Sequence, residues 1–387
     1  MPSFSHSQEN RRPISIGKFM KKPSPPVYYA DYLQLDRLLA SQSPKSAEHG
    51  QPAHDETLFI IVHQVYELWF KEILHELGSV IHLFASNYVD EKNIGVAVSR
   101  LSRITEIQKL LIDQIRVLET MTPLDFLEFR EFLFPASGFQ SVQFRLIENL
   151  FGLNPEQRLL YNKEAYYASV SSEHQEIIRQ SEGEASLFIL VERWLERTPF
   201  LDFYEYHFWP NYRAAVEKIL QNDRDTILSN PLSSEEEKQK QLQELAINEE
   251  NFGALFDETK HNQLIEKGRR RLSYKATEAA LLIHLYRDEP ILHLPFRLLT
   301  LLVDIDELFT TWRYRHALMA HRMIGNKIGS GGSTGYHYLR ATVDKYKVFG
   351  DLFDLSTFLI PRSALSELPE EVKRNLGFYY SVKSSEP

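Results

Sequence analysis

Hydrophobic positions recur along this chain at i, i+3, i+4 and i+7 from Tyr28 to about Gly377, and runs that alternate apolar and polar residues are scarce. The pattern predicts an all-α protein with one large helical domain over residues 27–377. Its clearest stretch is residues 55–77, DETLFIIVHQVYELWFKEILHEL. At about 100° per residue, Phe59, His63, Tyr66 and Phe70 share one face, while Glu67 and Lys71 are expected to form an exposed i, i+4 pair. A second helix is predicted over residues 122–134, closed by Pro135. There Phe126, Arg130 and Phe134 fall at i, i+4 and i+8, so the guanidinium should lie between two rings. Further helices are expected over 276–285, after Ser273, and over 311–328.

Three segments depart from this rhythm. Residues 1–26 mix Ser and Pro with Arg11, Arg12, Lys18, Lys21 and Lys22, which reads as a flexible arm. Residues 222–262 are polar and acidic, a solvated helical insertion in which Ser233 and Glu236 stand at capping-box spacing. Residues 378–387 read as a frayed tail. No internal repeat is visible.

Composition narrows the chemistry. With 44 Lys plus Arg against 53 Asp plus Glu, the net charge of -9 argues against a nucleic-acid surface. The run Arg269 to Arg271 is too short to reverse that. Among 387 residues there is no cysteine, which removes disulfides, zinc-thiolate sites, iron-sulfur clusters, thiol nucleophiles and covalently attached haem. The longest apolar stretches fall far short of the roughly 20 residues that span a bilayer, so no membrane partner is expected. A cytoplasmic location fits this composition.

Three segments carry candidate chemistry. His63, in its aromatic stripe, serves either as a core histidine bonded to a backbone carbonyl or as a neutral acceptor for a ligand hydrogen bond. Arg130 either stacks on its aromatic face or offers a fork to a carboxylate. In residues 311–328, His316 and His321 are five apart. That turns them about 140° from one another and rules out joint chelation of one metal. A single axial histidine on a planar cofactor needs no such neighbour, and the spacing does not choose between the two. The glycine-rich stretch 329–335, GSGGSTG, allows close backbone approach to a ligand or simply ends a helix. It follows a helix, not a strand, so its match to G-x-S-x-G is not a nucleophile elbow.

Taken in order, FIIVHQVYELWFKEILHEL, MTPLDFLEFREFLFPASGFQSVQFRLIENLFG, WLERTP, WRYRHALMAHRMIGNKIGSGGSTGYHYLRATV and YKVFGDLFDLSTFLIPR resemble the successive signature blocks of the tryptophan 2,3-dioxygenase family. The resemblance spans about residues 28–362. The arm and the acidic segment look more like the longer, animal-type members than the compact bacterial ones. Membership implies an all-helical homotetramer, a dimer of dimers with intertwined N-terminal segments. It also implies non-covalent haem b, and a reaction that inserts both atoms of O2 across the indole C2–C3 bond of L-tryptophan. By motif, His316 matches the haem iron's axial ligand and His63 the distal histidine that meets the indole N–H. Arg130 matches the clamp on the substrate carboxylate, and Phe59 and Phe126 match pocket walls. Tyr29 and Tyr32 match tyrosines lent by a neighbouring subunit. Ser330 stands where the family usually has threonine, which keeps the hydroxyl and loses the stiffening methyl. For that reason the competing expectation is a haem-dependent monooxygenase or hydroxylase acting on a modified tryptophan or another aromatic amino acid.

Overall fold

Long helices form where the sequence supplies a continuous apolar stripe, whether or not a side chain caps the start. The computed structural model describes residues 25–86, 89–154, 158, 166–168, 170–199, 202–203, 206–325, 327 and 335–377. The packing divides at Ser43 into two units. In the first, α1 (Tyr29–Leu33) and α2 (Leu35–Leu39) are short helices joined through Gln34, whose φ of 53° is left-handed. Tyr29 and Tyr32 lie on α1, each 75% exposed.

The second unit begins with α3 (Lys45–Glu48), then α4 (Glu56–Phe84) and α5 (Glu91–Leu118). The Glu56 carboxylate ties α3 to α4 by accepting from the Lys45 and Ser46 amides at 2.7 and 2.9 Å. Next come α6 (Pro123–Arg130), α7 (Val142–Phe151), α8 (Ser172–Glu182) and α9 (Leu187–Leu195). A two-residue antiparallel pair, β1 (Asp202–Phe203) with β2 (Tyr206–His207), precedes α10 (Phe208–Ser229). The chain continues with α11 (Glu235–Leu255), α12 (Glu258–Glu266), α13 (Tyr274–Leu285) and α14 (Pro290–Ile324). It closes with α15 (Gly335–Lys345), α16 (Gly350–Asp354) and α17 (Glu370–Leu376). The helical expectation thus holds: β1 and β2 are the only strands among the described residues.

The core is built where α14 runs along α5 and α5 along α4. Ile73 and Leu77 of α4, Leu101 and Ile104 of α5, and Leu298 and Leu302 of α14 are each fully buried. Burying side chains of this size contributes about 1.5–3 kcal/mol each. No helix among the described residues is long and apolar enough to cross a membrane.

Several local expectations are corrected. The capping box of α11 is Ser234 with Glu237, one residue later than the Ser233–Glu236 reading. The Glu237 carboxylate accepts from the Ser234 amide at 2.8 Å, and the Glu237 amide donates to the Ser234 hydroxyl at 3.3 Å. A run of two serines and three glutamates fits either register, and local packing selects one. Residue 222 falls inside α10, which runs unbroken to Ser229. The helix expected to reach Phe134 ends at Arg130 and tightens into a 3-10 turn over Glu131–Leu133. Because a residue before proline avoids the helical region, Phe134 is extended. It is also 74% exposed, so it does not sandwich Arg130.

Candidate functional site

The aromatic stripe of α4 and the far half of α14 face one another across a cavity of ≈ 280 Å³. From α4 come Phe59, His63, Tyr66, Glu67 and Phe70; from α14 come Trp312, Arg313, His316, Met319 and Met323. α6 contributes Phe126 and Arg130, and residues of α5, α7 and α15 also line the cavity. Phe59, His63, Phe126, Arg130 and His316 therefore meet in one place, as the sequence reading expects. Ser330 lies outside the described residues, and His321 is on the exposed side of α14 and is not among the lining residues.

The two histidines are held differently. The His63 ring packs on Phe59 with centroids 4.1 Å apart, and its Nδ1 lies 2.7 Å from the Phe59 carbonyl oxygen. A carbonyl only accepts, so Nδ1 carries the proton and donates, leaving Nε2 of the neutral ring as a bare acceptor. Burial lowers the His63 pKa and keeps the ring neutral, opposed by the bond to Phe59 and the charge of Glu67. Of the two alternatives for His63, the structure shows the bond to a backbone carbonyl, and the same ring also lines the cavity. His316 stacks on Trp312 at 5.4 Å and 20°. Among the described residues no group hydrogen-bonds it. Burial, and then the charge His63 would carry, lower its pKa to about 4. His316 is therefore a neutral imidazole whose ring nitrogens have no hydrogen-bond partner among the described residues.

At one end of the cavity the charge is arranged with unusual excess. Glu148 accepts from Arg145 at 3.0 Å and Arg158 at 2.8 Å through Oε2, and from Arg313 at 3.1 Å through Oε1. All four side chains are at least nine-tenths buried. Burial alone would raise the Glu148 pKa, but the three guanidinium groups outweigh it and hold it at about 2. Three guanidinium groups thus ion-pair with one carboxylate, with Asp306 also within electrostatic reach of Arg313, and the Nε–H groups of Arg145 and Arg158 have no hydrogen-bond partner. The Trp312 indole N–H is also buried without a hydrogen-bond partner; it comes near the Tyr66 hydroxyl, tempering the rise that burial brings there, without reaching bonding geometry. The Tyr66 hydroxyl instead donates to the Leu111 carbonyl at 2.7 Å, and burial pushes its pKa up to about 12. Such orphaned donors are rare in folded interiors and point to an acceptor-bearing ligand.

Sequence reasoning missed two features. Glu67 is not an exposed partner of Lys71: it is half-buried and lines the cavity, and its Oε2 accepts from Gln143 at 2.8 Å. The helical wheel places a residue on a face but does not say which neighbour stands opposite. The Arg cluster unites residues 145, 158 and 313, and the only local signal was the i, i+3 spacing of Arg145 and Glu148.

Residues 18–359 match the family model described as tryptophan 2,3-dioxygenase. A tryptophan 2,3-dioxygenase from Dictyostelium discoideum is 52% identical over 92% of this chain and 89% of its own. One from Bdellovibrio bacteriovorus is 54% identical over 92% and 99%, and one from Xenopus tropicalis 51% over 90% and 86%. Identity to the bacterial and to the animal relative is similar, so it does not favour the animal-type members.

Proposed function

The chain belongs to the tryptophan 2,3-dioxygenase family, and from that premise we propose that the cavity between α4 and α14 is where it adds both atoms of O2 across the indole C2–C3 bond of L-tryptophan. The product is N-formyl-L-kynurenine, and the reaction opens tryptophan catabolism by the kynurenine route. The single observation that carries this reading is a pair of neutral histidines in one cavity, one tied to a carbonyl and the other with no partner among the described residues.

The cofactor we propose is haem b, and the residues present fit it. His316 is a neutral imidazole with no hydrogen-bond partner among the described residues, and it would be the residue to hold the haem iron. The surplus positive charge around Glu148 and the orphaned Arg145 Nε–H and Trp312 N–H suit a group that bears carboxylates. With no cysteine in the chain, no thiolate competes for the iron. When bound, the haem would supply ferrous iron for O2.

The chain's own residues do the rest by binding and orientation. His63 Nε2 accepts from the indole N–H and sets the ring's register, and Phe59 and Phe126 hold it flat. Arg130 lines the same cavity and holds the substrate carboxylate. An aromatic lining excludes water, so each of these polar contacts is worth more than at the surface. Interactions at the amino-acid end thereby fix C2 and C3 for attack. His63 is too weak a base to pull the indole proton away, and Tyr66 stays protonated, so the site positions its substrate rather than ionising it.

The protein so read is a cytoplasmic homotetramer, a dimer of dimers, in which Tyr29 and Tyr32 of one subunit complete a neighbour's site. The exposure of both rings supports that reading. Product mass decides the chemistry. With L-tryptophan and doubly ¹⁸O-labelled O2, two labelled atoms should appear in the product. One labelled atom would favour the monooxygenase reading.

A further inference from the structure

One carboxylate on the cavity wall has no place in the arginine cluster or in the contacts assigned to the substrate. Glu67 stands one turn beyond His63 on α4 and lines the same cavity. The Gln143 side-chain amide, at the start of α7, donates both to the Glu67 carbonyl oxygen and to Glu67 Oε2, each at 2.8 Å. Both acceptors can only accept, so the orientation of the Gln143 amide is dictated. A single NH2 group that spans a main-chain and a side-chain oxygen of one residue leaves its carboxylate little freedom. Among the described residues Oε1 has no further partner, so the charge is fixed without being neutralised by an ion pair.

That charge sits in a cavity otherwise biased to the positive. Arg130 enters from α6, Arg145 with Glu148 from α7, Arg313 with His316 from α14, and Tyr338 from α15. Glu67, on the same face of α4 one turn from His63, draws a proton toward that ring against the effect of burial. A fixed negative charge near an imidazole raises electron density at its free nitrogen, and partial burial weakens solvent screening of the effect.

We propose that Glu67, latched by Gln143, is a positioning residue that holds the His63 turn of α4 against α7 and strengthens the hydrogen bond His63 Nε2 accepts from the substrate ring N–H. The assignment rests on the reaction proposed above. It makes Glu67 a determinant of specificity for rings that carry an N–H.

The test uses the haem-loaded protein and two amino acids: L-tryptophan, and its benzofuran isostere, in which oxygen replaces the ring N–H. Glu67→Gln keeps an acceptor for Gln143 and removes the charge. Its KM for L-tryptophan should rise about three- to tenfold, the usual worth of one hydrogen bond. The inhibition constant of the isostere and the melting temperature should stay at the parent values. Gln143→Leu keeps the charge and breaks the latch, so both amino acids should weaken together. An unchanged KM in Glu67→Gln, or equal weakening of both ligands, would overturn the role given to Glu67. An inactive parent would overturn the reaction and this inference together, whereas an active parent with an indifferent Glu67→Gln overturns only the inference.

Discussion

α4 and α14 each present one histidine to the same cavity, and they treat it in opposite ways. On α4, His63 spends Nδ1 on the carbonyl four residues back, as His284 also does on α13 with Ala280 at 2.8 Å. On α14, the equivalent carbonyl belongs to Trp312, and His316 does not bond it; it stacks on the Trp312 ring instead. A helical histidine that takes the local bond has one nitrogen left, which suits it to a single directional contact. A histidine that forgoes the bond, as His316 does among the described residues, keeps both ring nitrogens open to a ligand. On the function proposed above, the difference gives the two residues separate tasks, one to orient and one to ligate, although the sequence shows both simply as histidines on aromatic helical faces.

The most severe way to break this contrast is to remove Glu148, on whose oxygens the arginines of α7 and α14 converge. Glu148→Gln should destabilise the fold by about 3–5 kcal/mol, because it strands three buried guanidinium groups. A melting temperature within a degree or two of the parent would contradict that. Acid should reveal the same interaction. The folded pKa of Glu148, about 2, lies below the usual 4.5, so its stabilisation is present above pH 4.5 and is lost as pH falls toward 2. Stability measured by denaturant between pH 5 and pH 2.5 should fall more steeply for the parent than for Glu148→Gln.

Smaller effects should divide the two walls by function. Arg130→Ala should raise KM for tryptophan by about 10- to 100-fold with haem content intact, since it removes a charged contact to the carboxylate. An unchanged KM would take the carboxylate elsewhere. His63→Ala should lower kcat/KM by about tenfold and leave measurable turnover, because Arg130 and the aromatic walls still orient the ring. Steady-state kinetics that match the parent would show that α4 supplies only packing.

Much of the site was legible in the chain itself. Phe59, His63, Tyr66 and Phe70 follow from period 3.6, and all four reach the cavity. The choice of His316 over His321 was not available from spacing; it needed the family resemblance, and α14 then puts His316 inward and His321 out. What stayed hidden was interaction across elements. The arginine cluster joins helices α7 and α14 with Arg158, which lies between α7 and α8, and no local pattern announces such a meeting. Glu67 was read as a surface charge because its i, i+4 neighbour is a lysine, whereas Gln143, 76 residues away, claims it. Helix ends were misjudged where two registers satisfy the same cap, or where a 3-10 turn replaces the last helical turn.

The most direct test is haem uptake by three purified proteins: the parent, His63→Ala and His316→Ala. Titration with haem under reducing conditions should give the parent and His63→Ala one equivalent per chain and closely similar Soret bands. His316→Ala should take up none tightly. If His316→Ala binds haem with the parent spectrum, or if His63→Ala is the variant that loses it, the division of labour between the two helices is wrong.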